Sequence, residues 1–156
     1  MKKITLVLLL TIAAAAAWAA GHVSYPEGYT NWHFVKSMVI NKGNPLFDLV
    51  GGMHHIYANP KAMKGYQTGK FPDGSVIVLD LFEAKEADNA ISAGPHKAVI
   101  VMQRDHKQFK NTGGWGFELF DPTTKKGTLD AKAQQSCFAC HEPQKDKDYV
   151  FSSLQG

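Results

Sequence analysis

The stretch SVIVLDLF, from Ser75 to Phe82, decides the fold class of this chain. Valine, isoleucine, leucine and phenylalanine fill most of its eight positions, and Gly74 precedes it. A short apolar run that is rich in β-branched residues and begins after a turn residue is typical of a buried strand. The stretch therefore predicts one strand of a sheet, and the rest of the chain can be compared with it.

Four further segments have the same character. They are Asn31–Ile40, Met53–Ala58, Lys97–Gln103 and Trp115–Phe120. Glycine, proline or asparagine separates most of them, as at 113–114 and 121–122. The pattern favours a mostly β (α+β) fold, an antiparallel sheet of about five strands with a few short helices, over a four-helix bundle.

Two helices are predicted from their end signals. Asn59 is a suitable N-cap, Pro60 suits the first helical position, and Gly69 ends the helix. A second helix is expected from about Leu129 through Gln135 and on into residues 136–141 near the C-terminus.

The N-terminus indicates export. Lys2 and Lys3 precede an apolar run, and Ala17-Trp18-Ala19 matches an A-x-A cleavage site. The apolar run is shorter than the roughly 20 residues of a spanning helix. We therefore expect residues 1–19 to be a signal peptide and residues 20–156 to form a single domain, periplasmic in a bacterial cell and free of the membrane.

The charge of the mature chain excludes some partners. The signal would remove two of the 17 basic residues, leaving 15 against 14 acidic residues and a net charge of +1. No basic run stands out, so nucleic-acid binding is not expected. The single arginine, Arg104, is a candidate cofactor-binding residue if an anionic group lies beside it, and otherwise a surface or structural ion pair.

Both cysteines lie in one motif, Cys137-Phe138-Ala139-Cys140-His141. The spacing C-x-x-C-H is the attachment pattern of a c-type haem, in which two thiols bond to the haem vinyl groups and the histidine ligates the iron. This pattern predicts one covalently attached haem c per chain, with Cys137 and Cys140 holding the ring and His141 as the metal ligand.

Three other interpretations of the cysteine pair fit the sequence less well. A thioredoxin-type redox pair belongs at the start of a helix in an early βαβ unit, whereas this pair is close to the C-terminus. A zinc site needs four ligands, and His54, His55, His96 and His106 form no second paired motif. A disulfide would close a very small loop and leave His141 without a role.

The opposite face of the iron is expected to be open. No methionine follows His141, although electron-transfer cytochromes c take a downstream methionine as their second ligand. The upstream candidates for such a ligand are Met38, Met53, Met63, Met102, His54, His55 and His106. Each of these residue types is more often core filler or a surface imidazole, so the sequence predicts a five-coordinate iron.

The chain resembles the cytochrome P-460 family and, within it, the branch called cytochrome c′-beta. The matching stretches are Asn59-Pro60-Lys61, Tyr66–Val78, Gly114–Phe117 and Cys137–His141. The resemblance implies a homodimer of predominantly β subunits, one haem c in each, with histidine on the proximal side and no resting distal ligand.

One position separates the branches of this family. Its hydroxylamine-oxidising members have a lysine, cross-linked to the porphyrin, at the end of the strand that reads FPDGSVIVL here, and this chain has Leu79 instead. Lys64 and Lys70 are weak substitutes because they belong to the preceding helix and turn. The resemblance therefore implies binding of nitric oxide and carbon monoxide in a phenylalanine-walled distal pocket.

The resemblance assigns Phe71 to that distal pocket, with Phe47 or Phe34 as a second wall; an ordinary core aromatic is the alternative for Phe71.

An oxidoreductase acting on hydroxylamine or nitric oxide is the alternative function, and it would need a proton acceptor such as Glu118 or Asp80 on the distal side. A third possible function is that of a simple electron shuttle with a redox partner protein.

Overall fold

The computed structural model describes residues 21–154, which form one antiparallel sheet with helices against it. The strands are β1 (His33–Ile40), β2 (Gly52–Ala58), β3 (Val76–Ala87), β4 (Ala90–Arg104) and β5 (Trp115–Phe120). Their order in the sheet is their order in the chain, and every neighbouring pair is antiparallel. The predicted fold class is confirmed.

The strand bounds differ from the prediction mainly in β3 and β4. Both strands continue into a two-stranded arm that turns at Asp88 and Asn89, whose φ angles are 51° and 60°. Two consecutive left-handed residues form the type of tight turn that suits a β-hairpin. The arm was missed because residues 83–95 are largely polar or small and show no apolar alternation.

Three α-helices accompany the sheet: α1 (Phe47–Val50), α2 (Pro60–Thr68) and α3 (Ala131–His141). The predicted signals of α2 are confirmed, since the Asn59 side chain accepts a hydrogen bond from Ala62 N and Gly69 ends the helix with φ 76°. α3 starts two residues later than predicted because Asp130 caps it. α1 was not predicted, because four residues are too few for a periodic pattern.

The two faces of the sheet carry separate cores. The inner face, defined by Ile77, Met102 and Phe117, packs against α2, α3 and the C-terminal segment. The outer face, defined by Val78 and Val101, is covered by the N-terminal segment that precedes β1. α3 is therefore held on the inner face.

The C-terminal segment returns to the helices after α3. A 3-10 helix (Glu142–Lys147) leads into it, and Tyr66 of α2 and Ser152 share a hydrogen bond of 2.7 Å between their hydroxyl groups. No helix within residues 21–154 has the length and apolar character needed to cross a bilayer. The predicted signal peptide lies outside the described residues.

Candidate functional site

The C-x-x-C-H motif occupies the last turns of α3. Asp130 starts the helix by accepting a hydrogen bond from Ala133 N at 2.7 Å, and Phe138 is buried in the inner core. Cys137 and Cys140 are three residues apart, so they lie on the same side of the helix. Cys137 is half-buried and Cys140 is exposed, which leaves both sulfurs beside a surface that a cofactor could cover.

The geometry does not favour the other interpretations of the cysteine pair. Both cysteines are free thiols. They lie at the end of α3, away from the helix N-terminus that lowers a thiol pKa in redox-active pairs. Burial instead raises the pKa of Cys137. Within residues 21–154, no group of three or more His, Cys, Asp and Glu side chains is arranged around a possible metal position.

His141 is held in one orientation by a backbone carbonyl. Its Nδ1 donates to the Tyr149 carbonyl oxygen at 2.7 Å, and its ring lies 5.1 Å from that of Phe117 and 4.8 Å from that of Phe151. With the proton on Nδ1, Nε2 keeps a free lone pair, which is the arrangement of a histidine that ligates a metal. Burial lowers the pKa of His141, which favours the neutral ring that ligation requires.

A row of aliphatic side chains crosses the inner face next to Phe117. Leu79 pairs with Ile100, and Ile100 pairs with Leu119. Directly opposite residues of antiparallel strands project to the same face, and Leu119 is two residues from Phe117 on β5. All three aliphatic side chains are only half-buried. We call Leu79, Ile100 and Leu119 the apolar row.

The two candidate proton acceptors project to the outer face. Asp80 is buried there, where its Oδ1 accepts a hydrogen bond from the Tyr29 hydroxyl at 2.9 Å. The same oxygen lies 2.6 Å from His96 Nε2. Glu118 accepts hydrogen bonds from the backbone N–H groups of 119, 128 and 129. Neither carboxylate is therefore on the side of the apolar row.

The candidate distal ligands are dispersed. His54 is buried with Nε2 2.5 Å from the Val50 carbonyl oxygen, and His106 contacts Asp73 at 2.6 Å. Met102 is buried in the inner core, and Met63 packs against that core. His55 and Met53 lie on the outer face. Met38 is on β1, four strand spacings or roughly 19 Å from β5.

The three phenylalanines predicted for the distal pocket lie in separate parts of the fold. Phe71 is 5% exposed and lies between the rings of Tyr66 and Trp115, at 5.1 and 5.5 Å, as a core aromatic would. Phe47 is half-buried in α1 and packs against Gly51. Phe34 is exposed on β1 and contacts the rings of Tyr57 and His55.

Arg104 forms a buried ion pair. Its Nη2 lies 3.0 Å from Asp148 Oδ1, its Nη1 donates to the Gly113 carbonyl at 2.7 Å, and its guanidinium stacks 5.1 Å from the Trp115 ring. Its Nη2 also lies 2.9 Å from His106 Nε2. The anionic group beside Arg104 in the structure is thus an aspartate of the chain itself.

Several features of the site depend on residues that are distant from the motif in the sequence. Phe117 lies in the G-W-x-F stretch, but Phe151 and the Tyr149 carbonyl come from the segment after the motif and are brought back by the fold. The apolar row becomes visible only once the strand register places Leu79, Ile100 and Leu119 side by side.

The residues present fit a haem. Cys137 and Cys140 would hold the ring, His141 Nε2 would ligate the iron, and the half-buried apolar row offers an aliphatic surface beside them. When bound, the haem supplies an iron that takes small ligands and changes its oxidation state.

The comparisons with known proteins agree with this fit. No curated protein sequence matches the chain. The family model described as Cytochrome P460 matches residues 26–152, which include the whole sheet, α3 and the C-x-x-C-H motif. With free thiols on one side of α3 and a histidine whose Nε2 is available, the chain belongs to the cytochrome P460 family of haem proteins.

Proposed function

We propose that this protein is an exported c-type cytochrome of the cytochrome c′-beta branch that binds nitric oxide, and also carbon monoxide, at an apolar distal face. Cys137 and Cys140 bond covalently to one haem per chain and His141 ligates its iron. The protein serves to scavenge, transport or sense nitric oxide.

The observation that carries this proposal is the apolar row. The family resemblance implies that position 79 faces the porphyrin, and Leu79 lies on the same sheet face as Phe117, the ring neighbour of His141. Leu79, Ile100 and Leu119 carry neither a hydrogen-bond donor nor an amine. A haem against this row has hydrocarbon where cross-linked relatives have lysine.

An aliphatic wall discriminates between diatomic ligands. Bound dioxygen acquires negative charge and is stabilised by a nearby donor, whereas nitric oxide and carbon monoxide need none. A distal face without donors therefore favours nitric oxide and carbon monoxide. The two candidate proton acceptors, Asp80 and Glu118, are engaged on the outer face, which argues against the oxidoreductase alternative.

The remaining parts of the proposal concern location and assembly. Residues 1–19 direct the chain to the periplasm, where the mature form is a homodimer and exchanges electrons with a redox partner. Mass spectrometry of the exported chain should give Ala20 as its first residue. Sedimentation should give twice the mass of the haem-loaded chain.

Optical spectra of the haem-loaded protein test the ligand chemistry. We expect ferric and ferrous spectra typical of a high-spin c-type haem, and a shift of the ferrous Soret band when nitric oxide is added. Hydroxylamine with an electron acceptor should give no turnover. The Leu79→Ala variant keeps the wall apolar, so it should also bind nitric oxide.

Three outcomes would contradict the proposal. A low-spin, six-coordinate spectrum would support an electron shuttle. Hydroxylamine turnover with a red-shifted ferrous Soret band would indicate a lysine cross-link and an oxidoreductase. Haem that can be extracted by acidified solvent would exclude covalent attachment.

A further inference from the structure

The turn that follows the 3-10 helix has an unusual backbone. Asp148 and Tyr149 are consecutive residues with φ angles of 54° and 67°. Residues with a Cβ rarely adopt this left-handed conformation, because Cβ lies too close to the following carbonyl oxygen. Short polar residues tolerate it, as Asp88 and Asn89 do, but a turn that places the bulky Tyr149 in this conformation needs other contacts to hold it.

Asp148 has those contacts. Its Oδ2 accepts a hydrogen bond from Phe71 N at 2.7 Å, its Oδ1 accepts one from Arg104 Nη2 at 3.0 Å, and its carbonyl oxygen accepts one from Trp115 Nε1 at 2.9 Å. Asp148 and Arg104 are each 5% exposed. Three separate parts of the inner core therefore fix this one residue.

The turn directs the next carbonyl at His141. The Tyr149 carbonyl oxygen, one residue beyond Asp148, accepts the hydrogen bond from His141 Nδ1 at 2.7 Å. Such a bond sets the tautomer and ring orientation of a ligating histidine and increases electron donation by its other nitrogen. A shift of the turn would lengthen or misalign this bond.

We propose that Asp148, held by Arg104, is a positioning residue for the axial histidine. The pair fixes the left-handed turn, the turn aims the Tyr149 carbonyl, and the carbonyl tunes the bond between His141 and the iron. This inference rests on iron ligation by His141, which is part of the proposed function, and it is independent of which gas binds.

Resonance Raman spectroscopy of the ferrous haem-loaded protein tests the proposal, because the iron–histidine stretching frequency reports the Nδ1 hydrogen bond. Asp148→Gly removes the side-chain contacts and accepts the left-handed backbone, while Asp148→Asn keeps one acceptor oxygen. We expect both to shift the frequency down and the haem reduction potential up, with Asp148→Gly having the larger effect. Arg104→Lys, which keeps the charge, should have a smaller effect in the same direction.

Asp88→Gly is the matched control. Asp88 is also a left-handed aspartate, but it lies in the exposed turn between β3 and β4. We expect it to leave both the frequency and the potential unchanged. If Asp148→Gly and Arg104→Lys lower the melting temperature but change neither spectroscopic value, the pair is merely structural and the proposal is wrong.

The same experiments distinguish a failure of this inference from a failure of the proposed function. If the native ferrous haem is high-spin and five-coordinate but shows no iron–histidine band, His141 is not the ligand and both fail. If the band is present but nitric oxide does not bind, the proposed function fails while the variants still test the positioning role.

Discussion

If the proposed function is right, the side chain at position 79 faces the ligand that binds to the iron. Leu79 lies in the middle of the inner face, with Ile56 on one side and Ile100 on the other. A glutamine at this position has a similar length and adds an amide that can donate a hydrogen bond. A single substitution therefore changes the chemistry of the wall with little change of shape.

We expect Leu79→Gln to raise the affinity of the ferrous protein for dioxygen relative to carbon monoxide by about fivefold, since a net hydrogen bond contributes about 1 kcal/mol. Flash photolysis with both gases measures the ratio. Ile91→Gln is the control, because Ile91 is 43% exposed on the β3–β4 arm, and it should leave the ratio unchanged. An unchanged ratio in Leu79→Gln would place the bound ligand elsewhere.

His54 makes stability depend on pH. It is 2% exposed, and burial lowers its pKa from the ordinary value of 6.5. The unfolded chain therefore binds the proton more readily than the folded chain. Its contribution to stability is present above pH 6.5 and is lost as the pH falls towards the lower folded-state pKa.

We expect the free energy of unfolding of the haem-loaded protein to fall between pH 7.5 and 5.5 more steeply than that of His54→Leu. One group limits the difference in slope to about 1.4 kcal/mol per pH unit. Urea unfolding at several pH values measures it. Ile56→Val, a core change without a titrating group, should shift the curve in parallel; equal slopes in the native protein and His54→Leu would refute this assignment.

At the scale of elements, Asn59 joins α2 to the start of β3. Its Oδ1 accepts hydrogen bonds from Ala62 N at 2.8 Å and Val76 N at 3.1 Å, and its Nδ2 donates to the Gly74 carbonyl at 2.9 Å. The side chain of Asp130, the N-cap of α3, accepts a single hydrogen bond, from Ala133 N. The two caps therefore differ in how much of the fold they hold.

We expect Asn59→Ala to lower the free energy of unfolding by about 2–3 kcal/mol, from the lost cap and the two further hydrogen bonds. Asp130→Ala, the matched cap variant, should cost about 1 kcal/mol. Urea denaturation of both variants measures the difference. Equal losses would mean that the bonds from Asn59 to Gly74 and Val76 contribute nothing net.

Elements with clear end signals were predictable from the sequence, and those without them were not. The bounds of β5 were predicted as observed, because glycines precede it and Asp121-Pro122 follows it. The arm of β3 and β4 was missed because its turn, Asp88-Asn89, contains neither glycine nor proline. Left-handed asparagine and aspartate are tolerated there, so the local sequence gives only a weak signal.

The haem should be a covalent part of the folded chain. We expect the exported protein to keep one haem through denaturation, seen by mass spectrometry, because two thioether bonds hold it. Cys137→Ala and Cys140→Ala should each retain a haem with one free vinyl group, detected as a red-shifted pyridine haemochrome band. The double variant should release its haem into acidified solvent, and retention there would mean that another residue forms the bond.

The candidate site combines local and distant contributions, and only the local ones were predictable. Cys137, Cys140 and His141 are adjacent in sequence, and the chemistry of their spacing is specific. Arg104 and Asp148 are 44 positions apart and meet only through the fold. The hydrogen bond from His141 Nδ1 is accepted by the backbone carbonyl of Tyr149. Every residue has such a carbonyl, so the residue type gives no sign that this one is used.

The strictly sequential order of the strands also bears on how the chain folds. Each strand pairs with the one before it, so the sheet grows by adding hairpins, and loops between consecutive strands close at a modest entropic cost. Residues 33–120 complete the sheet, whereas α3 and the C-terminal segment, residues 131–154, come last in the chain. We expect the sheet to form before the helix that carries the thiols docks on it, which would keep the thiols accessible for haem attachment until then.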